Sequence, residues 1–353
     1  MLLRRNCNGQ GFIRAQDRGG RTGDLLPLPP VFTPAGSLLR DILAIYIAMP
    51  FALQYPRNAR LDEGEQVTEE RKKLTVPDLK EAKRSGRKLA MASIPDYPSA
   101  VWAERAGLDI LGIGDSLGMV SYGFSNTLPV TMDMMIQHCQ AVRRGAPNTF
   151  NLVAMPYGSY PNPDLAVMNA LRFMKEGGVD CVKMQGGRDK FPILKAIADA
   201  GVPVMSHVGM CPHFVHQYGG FKLQGKTAEE ALKIIDDGIA IQEAGCIGFE
   251  IEAVPAPVAR AVDEAVDIFT FGIGAGGASC GQLLLAFDLL GVFDQFKPKF
   301  TKRYANISQI AVDALKAYAA EVRGGQFPDA EHSYAMKPEE IARLEQATGK
   351  KLQ

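Results

Sequence analysis

The sequence predicts an α/β protein, a closed (β/α)₈ TIM barrel with an N-terminal extension. From Leu74 onward, short apolar runs rich in β-branched residues alternate with amphipathic helical stretches. This alternation indicates parallel strand pairing, because a tight turn cannot join two parallel strands. Polar residues also recur at the ends of successive apolar runs, which is typical of the open face of a barrel. A doubly wound open sheet is the competing architecture.

The chain has 353 residues, which allows either two ordinary domains or one barrel with extensions. Its composition changes near residue 75. We assign residues 1–74 to the extension, residues 75–335 to the barrel and residues 336–353 to a C-terminal tail. The extension is interpreted as a disordered segment, as the product of a start assigned upstream of Met49, or as a mitochondrial transit segment over residues 1–48.

Seven strands are predicted along the barrel, and each is a short apolar run followed by a polar or glycine-rich stretch. They span residues 88–94, 110–114, 152–155, 181–184, 203–207, 247–251 and 268–272. An eighth strand is expected near Val292, where it would close the barrel. Helical spacing of apolar residues predicts crossover helices over residues 131–144, 163–175, 228–244 and 257–265.

Composition excludes several classes of protein. Lys plus Arg and Asp plus Glu both number 39, so the chain lacks the basic charge of a protein that binds nucleic acid or an anionic membrane. The longest apolar stretch, residues 42–53, contains Pro50 and is shorter than the ~20 residues that span a bilayer. The six cysteines are scattered without a CxxC pair, which argues against a zinc ribbon or a disulfide framework. We expect a reducing, cytoplasmic location.

Polar residues at the predicted strand ends mark a candidate site. In a barrel the carboxyl ends of the strands meet on one face, so groups from several strands converge there. Any one such residue is an ordinary loop residue, but a series from successive strands favours a site. The series comprises Asp96, Asp115, Ser116, Lys183, Gln185, His207 and Glu252.

Eight motifs along the chain resemble those of the ketopantoate hydroxymethyltransferase family. They occur in the family's order between about residues 75 and 335, so the first 75 residues and the last 18 lie outside the resemblance. The motifs are Gly114-Asp115-Ser116-Leu117-Gly118-Met119, Thr127-Leu128-Pro129-Val130-Thr131, Ala141-Val142-Arg143-Arg144-Gly145-Ala146-Pro147-Asn148, Val182-Lys183-Met184-Gln185-Gly186-Gly187, His207-Val208-Gly209, Gly219-Gly220-Phe221-Lys222-Leu223-Gln224-Gly225, Gly272-Ile273-Gly274-Ala275-Gly276 and Glu331-His332-Ser333-Tyr334.

The resemblance implies both a fold and a reaction. The family is similar in fold to the phosphoenolpyruvate mutase and isocitrate lyase barrels. It implies transfer of a hydroxymethyl group from 5,10-methylenetetrahydrofolate to 3-methyl-2-oxobutanoate, which gives ketopantoate for pantothenate synthesis. It also implies a Mg²⁺ ion that binds the 2-oxo acid, and assembly as a homo-oligomer.

The resemblance also assigns roles to individual residues. Asp115 matches a metal-binding carboxylate, Ser116 a substrate contact, Lys183 the lysine that meets the substrate carboxylate, and His207 a histidine that lines the site. Glu252 matches the general base. Such groups suit the chemistry, because a proton beside a ketone is poorly acidic and its removal needs a base together with stabilisation of the enolate oxygen.

Two positions depart from the family pattern. Ala154 stands where the family usually carries an aspartate ligand, and Gln185 stands where it usually carries a glutamate. Mg²⁺ prefers anionic oxygen ligands in octahedral geometry, so its affinity should fall and its binding should become substrate-dependent or vanish. Asp96 or Glu250 could supply a replacement carboxylate, and alternation along the strand places Glu250 on the same face as Glu252.

Three functional hypotheses therefore stay open. The first is an authentic hydroxymethyltransferase with weak metal binding. The second is a related lyase or aldolase on another 2-oxo acid, with Lys183 and His207 in place of the metal. The third is a non-catalytic binding or assembly homologue, against which the intact Glu252 argues.

Other signals favour structural roles. The GxGxxG spelling of residues 272–277 falls after the seventh predicted strand, whereas a dinucleotide fold carries it after the first. His213 and His216 lack an evident third metal ligand, so a loop or interface role is expected for both. His138 lies in a predicted helix and is interpreted as structural.

Overall fold

Residues 72–352 are described by a computed structural model, and they form a closed barrel of eight parallel strands in sequence order. The strands alternate with helices, as predicted. The strands are β1 Leu89–Ser93, β2 Ile110–Ile113, β3 Phe150–Ala154, β4 Cys181–Lys183, β5 Val204–Gly209, β6 Gly248–Glu252, β7 Phe269–Ile273 and β8 Gly281–Leu285.

Twelve helices accompany these strands in the described part of the chain, several of them only one turn long. They are α1 Val76–Ser85, α2 Tyr97–Arg105, α3 Leu117–Val120, α4 Met132–Gly145, α5 Pro163–Arg172, α6 Phe191–Asp199, α7 Val215–Tyr218, α8 Ala228–Glu243, α9 Ala256–Glu264, α10 Ala286–Leu289, α11 Ile307–Arg323 and α12 Pro338–Thr348. No helix among the described residues is long and apolar enough to cross a membrane.

Closure of the sheet confirms the barrel and excludes the open sheet. β1 pairs in parallel with β2 on one side and with β8 on the other, so Met91 is opposite both Ile110 and Leu283. Every strand consequently has two hydrogen-bonded neighbours, and the sheet has no free edge.

The position of the eighth strand was predicted wrongly. It lies at Gly281–Leu285, and Val292 lies in the turn region that follows α10. The prediction failed because it assumed a full helical crossover after β7. The structure has only a short glycine-rich connection there, in which Gly274 and Gly276 adopt positive φ angles of 65° and 79°. The connection is compact, so the next strand begins earlier than expected.

Alternation along the strands separates two cores. Phe249 and Ile251 point outward into the layer between the sheet and the helices. Cys181 and Met205 point inward and pack in the barrel interior with Phe269 and Phe271. Two residues further along the same strands, the inward positions are polar, which places a charged layer above an apolar one.

Helix starts follow from local sequence. Thr131 caps α4 by accepting a hydrogen bond from the Met134 backbone N–H, and Thr227 forms a reciprocal capping box with Glu230 at the start of α8. His138 lies on α4 and contacts the Pro95 carbonyl and the Tyr122 hydroxyl, in agreement with a structural role.

The interpretations of residues 1–71, including a start at Met49 and a transit segment over residues 1–48, fall outside the described residues. Five of the six cysteines lie within the described residues 72–352. They are all buried and free: Cys139, Cys181, Cys211, Cys246 and Cys280. Their burial agrees with the interpretation of these residues as small core side chains.

Candidate active site

The carboxyl ends of β2, β4, β5 and β6 bring charged side chains together at the barrel mouth. Lys183 ends β4, His207 lies on β5, Glu250 and Glu252 lie on β6, and Asp115 follows β2 by two residues. All five side chains are at most 12% exposed. The barrel thus unites five groups that are separated by up to 137 positions (252 − 115) along the sequence.

Lys183 and Glu250 form a buried ion pair in which the ammonium donates to a carboxylate oxygen. Burial alone would lower the pKa of Lys183, but the adjacent Glu250 outweighs it and the pKa is raised. Burial alone would raise the pKa of Glu250, but His207 and Lys183 hold it below its ordinary value. Both members of the pair therefore remain charged at neutral pH.

His207 lies between the two glutamates of β6. Its Nδ1 is 3.8 Å from Glu250 Oε2, and its Nε2 is 3.2 Å from Glu252 Oε2. Neither ring nitrogen makes a hydrogen bond of good geometry with the described residues, although the side chain is only 2% exposed. Each ring nitrogen therefore faces a carboxylate without a well-aligned hydrogen bond to it.

Glu252 differs from Glu250 in its electrostatics. Burial, with the negative charge of Glu250 beside it, raises the pKa of Glu252 above the ordinary value for glutamate, and the contact with His207 only partly offsets this. The pKa values of Glu250 and Glu252 are therefore shifted in opposite directions. Such a separation is what assigns one of two neighbouring carboxyls to proton transfer, and Glu252 is the candidate.

The structure adds His213 to the candidate site; it lies in a loop, as expected, but its contact with Asp115 was not predicted. It lies in the turn Pro212–Phe214 that follows β5, and its Nε2 is 2.6 Å from Asp115 Oδ2. The signal available in the sequence was its place just after a strand, which is where barrel sites collect side chains. Its partner Asp115, in the loop after β2, could not be identified from the spacing of the two residues in the sequence. His216 lies on α7 and, within residues 72–352, makes no hydrogen bond or ion pair with a site residue.

Tyr160 and Gln185 hold His213 in place. The Tyr160 hydroxyl is 2.5 Å from His213 Nδ1, and the backbone N–H of His213 donates to Gln185 Oε1 at 2.9 Å. Burial comes first in raising the pKa of Tyr160 well above its ordinary value, so its hydroxyl stays protonated. With Asp115 these residues form one buried hydrogen-bonded chain.

Asp115 is deprotonated within this series of hydrogen-bonded side chains. Burial would raise its pKa, but the hydrogen bond from His213, aided by the nearby Lys183, lowers the pKa below its ordinary value. Ser116 follows at the start of α3 and is partly exposed beside the site. Asp96 does not join the site as predicted, because its carboxylate caps α2 by accepting from the Ser99 N–H at 2.9 Å.

The donors around Asp115 do not fit a Mg²⁺ ion. Ala154 carries no ligand atom, Gln185 offers a neutral amide oxygen that His213 already uses, and Asp115 shares its carboxylate with the same imidazole. Mg²⁺ demands near-octahedral oxygen ligands and usually takes more than one anionic group. Within the described residues, a cluster that could hold an ion is instead His207, Glu250 and Glu252.

Two backbone features hold β5 against β6 beside Glu252. Gly209 has a φ of 85°, and a Cβ there would collide with the Glu252 carbonyl oxygen and come within 2.7 Å of Val254 Cγ1. Ala253, directly after Glu252, has a φ of 45°, which is unusual for a residue with a side chain. Strain of this kind persists where the surrounding structure fixes it, and it is frequent at functional sites.

Replacing Gly209 with Ala should destabilise the barrel by about 1–3 kcal/mol or more, because the side chain adds a clash to an unfavourable φ. It should also reduce activity by displacing Glu252. Urea unfolding and a rate assay measure the two effects. Gly277→Ala is the matched control, since nothing lies within 4 Å of its added Cβ. Equal stability of the two variants would contradict the close approach of β5 to β6.

Two cavities flank the charged cluster. One, of about 380 Å³, is polar and has His207 in its wall. The other, of about 430 Å³, is mainly apolar and has Glu252 in its wall. Its lining includes Met119, Met210, Phe221, Leu223, Ile273, Phe293 and Phe300, with Lys222 and Lys299. Glu252 thus faces the apolar cavity, and His207 beside it lies in the wall of the polar one.

Similarity to solved structures confirms the fold. The chain superposes on phosphonopyruvate hydrolase with a TM-score of 0.50 and 14% identity, covering 79% of this chain and 100% of that one. It superposes on phosphoenolpyruvate phosphomutase from Streptomyces platensis subsp. rosaceus with a TM-score of 0.50 and 13% identity, covering 78% and 96%. At such low identity these likenesses concern the barrel alone.

Sequence relatives identify the family. The chain is 56% identical over 271 residues to 3-methyl-2-oxobutanoate hydroxymethyltransferase 1 of Methylibium petroleiphilum, covering 77% of this chain and 92% of the relative. It is 47% identical to 3-methyl-2-oxobutanoate hydroxymethyltransferase of Alkaliphilus metalliredigens, covering 74% and 93%. A family model described as ketopantoate hydroxymethyltransferase matches residues 73–330. The chain therefore belongs to the ketopantoate hydroxymethyltransferase family.

Proposed function

We propose that the chain transfers a hydroxymethyl group from 5,10-methylenetetrahydrofolate to 3-methyl-2-oxobutanoate, giving ketopantoate for pantothenate synthesis. Family membership supports this activity, and the relatives are named for the same 2-oxo acid. The observation that carries the proposal is the pair of glutamates on β6. Glu252 has a raised pKa beside a cavity, and Glu250 is neutralised by Lys183.

In the proposed reaction Glu252 is the base. Its carboxylate takes the proton from C3 of the 2-oxo acid, and the C3–H electrons form the enolate. Water adds to the methylene carbon of the folate, and cleavage of its two C–N bonds releases tetrahydrofolate and a one-carbon unit at the oxidation level of formaldehyde. The enolate carbon then forms a bond to that carbon as its C=O π bond breaks, and the oxygen takes the proton held by Glu252 to become the hydroxyl. Lys183 and Ser116 are proposed to contact the substrate, with His207 lining the site. Proton removal by a positioned base contributes about 10²–10⁴-fold to such a rate.

The apolar cavity beside Glu252 is proposed to take the folate. Its volume of about 430 Å³ lies within the range of small-molecule sites, and the rings of Phe221, Phe293 and Phe300 offer apolar surface for a flat heterocycle. Lys222 and Lys299 also line it, so they can meet the carboxylates of the folate tail. The methylene carbon would then reach the wall that carries Glu252.

The test separates the two halves of the reaction. Proton NMR in D₂O follows loss of the C3 proton of 3-methyl-2-oxobutanoate when the protein is present. Addition of 5,10-methylenetetrahydrofolate should then give ketopantoate, detected by mass spectrometry. Exchange without product would favour a lyase or aldolase that acts on a related 2-oxo acid. The absence of both proton exchange and product would support a non-catalytic homologue.

The raised pKa of Glu252 predicts the acid limb of the pH profile. The base must be deprotonated, so the exchange rate should fall as pH decreases through a value above the ordinary glutamate range. Glu250→Gln removes a negative charge beside Glu252 and should move this limb to lower pH. The exchange rate measured across pH for both proteins tests the shift. An identical limb in the two would contradict the coupling of the glutamates.

Assembly and location are further parts of the proposal. Ile310, Leu315 and Tyr318 on α11 are more than half exposed, and such apolar surface suits contact between copies of the chain. We propose a homo-oligomer, which sedimentation equilibrium would detect.

A cytoplasmic location suits a pathway enzyme with free buried cysteines. Fluorescent tagging of the full chain tests it against import directed by residues 1–48.

A further inference from the structure

Asp115 is committed to protein partners. Its Oδ2 is 2.6 Å from His213 Nε2, and the other ring nitrogen of His213 is 2.5 Å from the Tyr160 hydroxyl. Asp115, His213 and Tyr160 are all buried. An ion at Asp115 would therefore compete with an imidazole that is fixed at both ends, and its remaining ligands would have to come from elsewhere.

Those ligands are missing from the neighbouring strands. Ala154 ends β3 with a methyl group, and the Gln185 amide oxygen accepts from the His213 backbone N–H. A cavity of only about 20 Å³ lies between Gly114, Ala154 and Lys183, where a longer side chain would reach. A hard divalent cation prefers several oxygen ligands and usually more than one carboxylate, and this set provides one.

The chain supplies its own positive charge nearby. The Lys183 ammonium is bound to Glu250, within the cluster whose geometry could otherwise hold an ion. An ammonium has three N–H bonds, and in the described part of the chain Glu250 is the hydrogen-bond acceptor it contacts. The other N–H bonds can point at substrate oxygens. Glu250 is thus a positioning residue that holds Lys183 at the barrel mouth.

We infer that this chain forms the enolate of its 2-oxo acid without a divalent ion, with the Lys183 ammonium, held by Glu250, as the positive group at the developing oxygen. The inference rests on the proposed function, because it concerns the same substrate in the same site. The bond changes are those already described. The C3 proton moves to Glu252, and Lys183 donates a hydrogen bond to the oxygen that gains negative charge.

Two measurements on the full chain test the inference. Isothermal titration calorimetry with Mg²⁺, in the presence of 3-methyl-2-oxobutanoate, should show no binding heat at millimolar ion. Proton exchange in D₂O should proceed at rates within about twofold with EDTA and with Mg²⁺, whereas a Lewis-acid ion that contributed several kcal/mol would make exchange collapse in EDTA. The calorimetry does not depend on catalysis.

A designed gain of metal binding gives the positive control. Ala154→Asp combined with His213→Ala frees Asp115 and adds a second carboxylate, so Mg²⁺ binding should strengthen at least tenfold over the wild-type chain. Ala154→Asn combined with His213→Ala adds the same volume without the charge and should gain nothing. Circular dichroism and thermal unfolding confirm that both double variants fold.

Each result has a stated meaning. Mg²⁺ binding by the wild-type chain that Asp115→Asn abolishes, or exchange that stops in EDTA and returns with Mg²⁺, would overturn the inference. Binding that Glu250→Gln abolishes would overturn it as well, with the ion among His207, Glu250 and Glu252. Lack of exchange under every condition would contradict the proposed function, while the calorimetry would still decide the metal question.

Discussion

Replacing Glu252 with Gln should reduce proton exchange of 3-methyl-2-oxobutanoate by about 10²–10⁴-fold, the usual contribution of a positioned general base. The amide has nearly the same shape as the carboxyl, so the fold and the substrate site should remain. The raised pKa of Glu252 makes it a stronger base than an exposed glutamate. Proton NMR in D₂O measures the rate.

The matched control is Glu264→Gln, an exposed glutamate at the end of α9. It should exchange at the wild-type rate. Binding of the 2-oxo acid to Glu252→Gln, followed by a thermal shift, separates loss of the base from loss of the site. Exchange at the wild-type rate by Glu252→Gln would show that another group takes the proton, and Glu250 would be the first to test.

The barrel could be predicted from the sequence because its signals are local. Alternating runs such as residues 247–251 and capped helices such as 228–244 each appear within a short window. The eighth strand was misplaced because the connection after β7 lacks the helix that the pattern assumed. Gly274 and Gly276 shorten that connection through backbone conformations that the sequence permits without requiring them.

The candidate site could be predicted only where residues lie at the carboxyl ends of predicted strands. Lys183, His207 and Glu252 were found in this way, and the structure brings them together. The contact of Asp115 with His213 spans 98 positions, and it depends on the pairing of a turn after β5 with the loop after β2. Likewise, alternation placed Glu250 on the correct face, but the partner that neutralises it is Lys183 on another strand.

Replacing Lys183 with Met should lower the free energy of unfolding by about 3–5 kcal/mol, because it leaves Glu250 charged, buried and unpaired. The double variant Lys183→Met/Glu250→Leu removes both charges and should recover most of that loss, since well-packed apolar side chains can replace a buried pair at little cost. Urea unfolding measures both. Lys195→Met is the control, as its pair with Asp199 is about half exposed and should contribute less than about 1 kcal/mol.

In the Lys183 and Glu250 variants, the rate of proton exchange should not recover together with the free energy of unfolding. The double variant regains its fold but has no ammonium at the barrel mouth, so exchange should remain about 10²–10³-fold below the wild-type rate, the loss typical of removing one donor to a developing oxyanion. Lys183→Arg keeps a charge but changes its shape and reach, and should recover only part of the rate. Exchange at the wild-type rate by the double variant would limit Lys183 to a structural partner of Glu250. A stable but inactive double variant would separate the two roles of Lys183, since the ion pair with Glu250 would then account for stability and the remaining N–H bonds for catalysis.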